Sequence, residues 1–169
     1  MAWFRRSSVP AEVDEQVRRE AGERVLAAAP ASAGWVVATT HALWVPDRSG
    51  MVRLGWESVD NASWDRHEEV LTVVQAAPVD GRPRRWLLRM PDAGELLLVV
   101  KERVRATVVT SRWVGVSGDR GVTIVARRPP GTDRLTWTVS VDAGLVMDEP
   151  TARARVEDAL ATLRAELGG

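Results

Sequence analysis

Few residues in this chain could do acid–base or ligand chemistry. His41 sits at the centre of "GWVVATTHALWVP", residues 34–46, between two apolar runs. His67 lies in "DRHEE", residues 65–69, with Asp65, Glu68 and Glu69 beside it. An imidazole titrates near neutral pH and suits a base or a metal ligand, and Asp65 with Glu68 has the residue types of a general acid and base. Neither position has the pattern of a site. No second histidine stands at zinc-ligand spacing, and consecutive turn residues rarely aim at one point. His41 reads as the solvent-exposed tip of a tight hairpin, a setting that histidine tolerates, and 65–69 reads as a solvated tip. A metal-assisted enzyme at His41, His67 and nearby carboxylates is therefore the third of the functional readings, ahead only of nucleic-acid binding. The sequence names no catalytic residue, no metal ligand and no cofactor.

The glycines add no phosphate site. "GVSG" at 115–118 lacks the final spacing of a G-x-S-x-G elbow. Gly115, Gly118 and Gly121 are followed by neither the lysine nor the helix of a phosphate loop. They read as turn glycines.

Arginines offer the other candidate. "GRPRRWLLRM" gathers Arg82, Arg84, Arg85 and Arg89 around Trp86, and Arg127 and Arg128 follow later. The chain is neutral overall, yet residues 82–128 hold 11 basic and 4 acidic side chains against 12 and 19 elsewhere. Guanidinium forks bind phosphate and carboxylate bidentately. Strand alternation puts Arg85, Leu87 and Arg89 on one face and Trp86, Leu88 and Met90 on the other, a pattern that a solvated strand face explains without a ligand. These six arginines are the candidate anionic face. Nucleic acid is not expected, because the chain is neutral and carries no binding motif.

Composition bounds the scaffold that must position these groups. At 169 residues, with 45% apolar and 27% charged side chains, the chain suits one soluble domain, or one with an appendage. Cysteine is absent, which excludes disulfides and thiolate chemistry and fits a reducing compartment. "MAWFRRSSVPAEVDEQ" lacks the apolar run of a secretory signal, and the uncharged run "LLLVV" at Leu96–Val100 is far too short to span a bilayer. A cytoplasmic, soluble protein is the default expectation.

The order of elements follows from periodicity and turn chemistry. Pro10 to Glu20 reads as a short helix with Val13 and Val17 one turn apart. Seven short runs follow, at 24–30, 34–40, 42–46, 51–56, 58–64, 69–75 and 84–90, rich in valine, leucine and tryptophan and separated by "PASAG", "PDRSG", "DRHE" and "PVDGRP". That is the pattern of a small antiparallel barrel or sandwich. Tryptophans 35, 44, 56, 64, 86 and 137 fall at strand positions suited to a core. "PDAGELLLVVKERVRATVVTSRW" carries Asp92 and Glu95 at capping-box spacing. Leu97, Val100, Val104 and Val108 then make one helical face, so a helix is expected over 93–110 despite its valines. Three further strands and a helix from Pro150, with Val156, Leu160, Leu163 and Leu167 as its stripe and Gly168 as its stop, complete the chain. Such a β-β-β-α tail is expected to pack on the first unit or on a second copy.

Seven strands capped by one helix resemble the pleckstrin-homology superfold. More narrowly, "GERVLAAAP", "GWVVATTHALWVP" and "VRLGWESVDNASWD" resemble an uncharacterised PH-like, GRAM-like family of high-GC Gram-positive bacteria, through Gly34, Trp35, Pro46, Trp56, Asp60 and Trp64 among others. "ERV" at 102–104 and "ARR" at 126–128 extend the likeness towards the C-terminus. The resemblance implies an α+β fold: a mainly antiparallel PH-like seven-stranded barrel capped by a helix, with a C-terminal β-β-β-α extension. The divisions are an N-terminal segment at 1–22, barrel and capping helix at 23–110, and the extension at 111–169. Family membership of this kind implies a fold rather than an activity. Phosphoinositide-binding PH domains place basic residues in the first strand-to-strand loop, and here that loop is "PASAG".

The expected function is a non-catalytic interaction module that takes a protein or peptide partner along an exposed edge or beside the capping helix. Homodimerisation through the tail is a variant of that expectation. The alternative is peripheral membrane or anionic-ligand binding through the arginines between 82 and 128.

Overall fold

The computed structural model of the chain describes residues 9–76, 84–145, 147 and 150–167. The protein is α+β, with three antiparallel sheets and three helices among these residues. The first helix, α1 (Ala11–Gln16), is shorter than its apolar spacing suggests and leaves Val17 just beyond its end, buried.

All seven expected runs form strands. β1 (Val25–Ala31), β2 (Gly34–Thr39), β3 (Ala42–Asp47) and β4 (Gly50–Gly55) make a four-stranded meander. A 3₁₀ turn at Trp56–Ser58 redirects the chain, so Trp56 leaves the strand series. β5 (Val59–Asp65), β6 (Val70–Gln75) and β7 (Arg85–Arg89) form a three-stranded meander. The seven strands therefore make two open sheets rather than one closed ladder, and β1, β4, β5 and β7 are outer strands.

α2 (Gly94–Thr107) packs against β1, β2, β5 and the 3₁₀ turn. Between it and the two sheets lies the main core, with Leu43, Val45, Trp56, Leu71, Met90 and Val100 all out of water. Each buried aliphatic side chain of this size contributes about 1.5–3 kcal/mol. Trp56 satisfies its buried indole N–H by donating to the Thr39 carbonyl at 3.0 Å. The outer face of the four-stranded sheet is covered as well, by Val17 over Ala28, Val37, Ala42 and Trp44. Double coverage is why β2 and β3 read as unbroken apolar runs rather than alternating ones.

α2 departs from its expected details. Asp92 takes the Gly94 N–H at 2.8 Å as a turn, and the residue before the helix is Ala93, so no capping box forms. Leu96, not Leu97, is the fully buried leucine of the first turn. The helix stops at Thr107, and Val108, half-exposed, already belongs to the next strand.

β8 (Val108–Ser117), β9 (Arg120–Arg127) and β10 (Thr136–Val141) form the third sheet, in the order β10-β9-β8. α3 (Pro150–Glu166) lays Val156, Leu160 and Leu163 on Val122, Ile124 and Val139 to make a separate cluster. Leu167 falls outside this stripe and stays exposed. Gly115 and Gly121 are not turn residues. They lie within β8 and β9 under the indole of Trp113, and a Cβ at Gly121 would run into that ring and the Val114 carbonyl.

Candidate functional site

The five described arginines of the candidate face do not share one surface. Arg82 lies outside the described residues. Arg84 pairs with Asp47 at 3.2 Å and stacks over the Trp86 ring at 4.9 Å. Arg85 and Arg89 point outward from β7 with the exposed Leu87 between them, as alternation predicts. Arg127 is turned inward at 3% exposure. Its guanidinium donates to the Thr107 hydroxyl at 3.1 Å and the Val104 carbonyl at 3.3 Å, and sits 3.6 Å from Asp60. Burial pushes its pKa down and Asp60 opposes that push. Arg127 thus ties the end of α2 to β5 and β9. Arg128 beside it is exposed. The sequence could not separate this pair, because the two are neighbours at the end of β9 and only the contacts of Arg127 with α2 and β5 turn it inward.

The histidines stand in different turns. His67 occupies the β5–β6 turn, where the Asp65 carboxylate accepts the N–H groups of His67 at 2.8 Å and Glu68 at 3.1 Å. Those two bonds hold the Asp65 carboxyl below its ordinary value. This is a capped hairpin tip. His41 is half-buried rather than solvent-exposed, and its Nδ1 lies 3.5 Å from Glu20. The segment before β1 reaches across to that turn, with the Thr40 N–H donating to the Arg24 carbonyl at 2.9 Å.

Among the described residues a further concavity belongs to none of these groups. A groove of about 370 Å³ runs between residues 27–30 of β1 and residues 91–96, the link from β7 into α2. Its position follows from three local facts. β1 is an outer strand, so among the described residues one row of its backbone groups has no ladder partner. A two-residue turn at 32–33 joins β1 to β2 and pairs Ala31 with Gly34. Counting back, Ala29 and Ala27 face β2, while Ala28 and Pro30 face the open edge. A proline is tolerated there because its missing N–H would have pointed away from the sheet. The Ser32 N–H donates to the Arg89 carbonyl at 2.8 Å, which fixes the β1–β2 turn beside the end of β7. The walls are small and apolar, with Ala27, Ala29 and Ala93 buried, and Asp92 and Glu95 place carboxylates at one rim. Ala-Ala-Ala-Pro in an edge strand was the available signal for this groove, and the sequence reading passed over it.

Searches for relatives leave the site to its own geometry: no protein-family model, curated protein or solved structure matches this chain. No described helix is long and apolar enough to cross a membrane.

Proposed function

We propose that this protein is a non-catalytic recognition module of the PH-like superfold that binds an extended peptide segment along β1. A four-stranded and a three-stranded antiparallel sheet with one helix packed across them support the PH-like reading. The observation that carries the function is the open edge of β1 lying against the start of α2, with a groove between them. An extended segment added there gains main-chain hydrogen bonds from the strand and side-chain contact from the helix. Pro30 limits the gain, since the edge offers one N–H, at Ala28, and two carbonyls, at Ala28 and Pro30. The bound segment would thus be short and its register fixed.

The arginine face is the weaker reading, because among its described members Arg127 is structural and Arg84 is paired, leaving Arg85 and Arg89 around Leu87, and Arg128 at the end of β9. A peptide library selected on the full chain tests the proposal, followed by N-methylation along a selected peptide. Two peptide N–H groups, two residues apart, are expected to be essential, each N-methylation weakening binding about tenfold, and the residue between them tolerant. Binding that ignores N-methylation, or a library without binders, refutes the reading.

A further inference from the structure

Glu20, Glu23 and His41 meet where the segment before β1 reaches the β2–β3 turn. One ligand atom from each lies within 4.8 Å of the other two. Glu23 is the unusual member. It is 6% exposed, and both carboxylate oxygens are engaged by neutral donors. The Thr39 hydroxyl donates to one, and the Glu20 backbone N–H donates to the other at 2.8 Å. Among the described residues no arginine, lysine or histidine nitrogen lies within 4.0 Å of it. A buried carboxylate is normally paired with a cation or bound to a metal. Beside it stand an imidazole and a second carboxylate, the latter shared with the Arg53 guanidinium, and with Glu23 these two make a ligand set.

We propose that Glu20, Glu23 and His41 bind one first-row divalent cation, with Zn²⁺ the best fit. Two carboxylate oxygens and one imidazole nitrogen suit Zn²⁺ and its neighbours, whereas Ca²⁺ and Mg²⁺ select all-oxygen shells. Tetrahedral coordination at about 2.0–2.2 Å needs ligand atoms roughly 3.4 Å apart, so the group must tighten. Glu20 is the member that can move, its side chain 63% exposed. Glu23 is held by its two donors and His41 by the turn. Glu20 is shared with Arg53 at 3.2 Å, which makes Arg53 a competitor for the same carboxylate. A bound ion would pin residues 20–24 to the β2–β3 turn, independently of the groove.

The test is calorimetric titration of the chelator-treated full chain with Zn²⁺. One ion per chain is expected. Glu20→Gln and His41→Asn are each expected to lower affinity at least tenfold. His67→Asn should leave it unchanged, and Arg53→Gln should tighten it several-fold by releasing Glu20. Glu23 is left intact because its burial couples it to the stability of the fold, and far-UV circular dichroism confirms that each variant is folded. Absence of binding at millimolar Zn²⁺ overturns the proposal. So does binding that survives both Glu20→Gln and His41→Asn, or binding that is lost in His67→Asn.

Discussion

Replacing Arg127 by methionine keeps most of the buried volume and removes the charge. Two hydrogen bonds from a charged donor carry about 1.5–3 kcal/mol each, while keeping a guanidinium out of water costs several kcal/mol. What the substitution leaves behind decides the balance. The Val104 carbonyl still receives the Thr107 hydroxyl at 2.7 Å, so neither acceptor is orphaned. Asp60 loses its cation, but its side chain is 27% exposed and reaches water. A loss of about 1–2 kcal/mol is therefore expected for Arg127→Met, below the roughly 3–5 kcal/mol seen when a buried charge is stranded. The partner substitution does strand one. Asp60→Ala leaves the guanidinium at 3% exposure without its carboxylate, and about 2–4 kcal/mol is expected. Equilibrium urea unfolding followed by tryptophan fluorescence measures both, at constant m. The order is the point of the test. Arg127→Met costing as much as Asp60→Ala would refute the argument that burial on the arginine side sets the energetics.

Two further outcomes rest on other contacts. Gly121→Ala should destabilise by about 1–3 kcal/mol in the same assay, because its methyl has to displace the Trp113 ring and press on backbone; a neutral result would mean that the indole does not lie on the glycines. Asp65 has a folded pKa below its unfolded one, so its contribution to the β5–β6 tip is complete above the unfolded value of about 3.9 and fades as pH falls through the lower folded value. An NMR titration should therefore find Asp65 titrating below that value, with the His67 and Glu68 amides shifting in step, and an unshifted Asp65 would remove the cap.

Much of the scaffold was legible because it is written locally. Alternating or unbroken valine-rich runs between turn residues located β1 to β7, and four-residue apolar spacing located α2 and α3. Thr40-His41 and Asp65–Glu69 identified themselves as reversals by residue type. Details resting on a single residue were less secure, as when Asp92 capped a turn instead of the helix. Gly115 and Gly121 had the composition of turns and the position of a bed for an indole.

Amino-acid order by itself determined which stretches became strands and helices, since backbone preference and face periodicity are properties of neighbours along the chain. Only the tertiary structure decided that Arg127 faces inward while Arg128 does not, that His41 meets Glu20 and Glu23, and that the edge of β1 opens beside α2. Those outcomes join residues 17 or more apart through sheet order and helix placement. Burial and charge pairing are set by which surfaces finally touch, and no local window of the sequence contains both sides of such a contact.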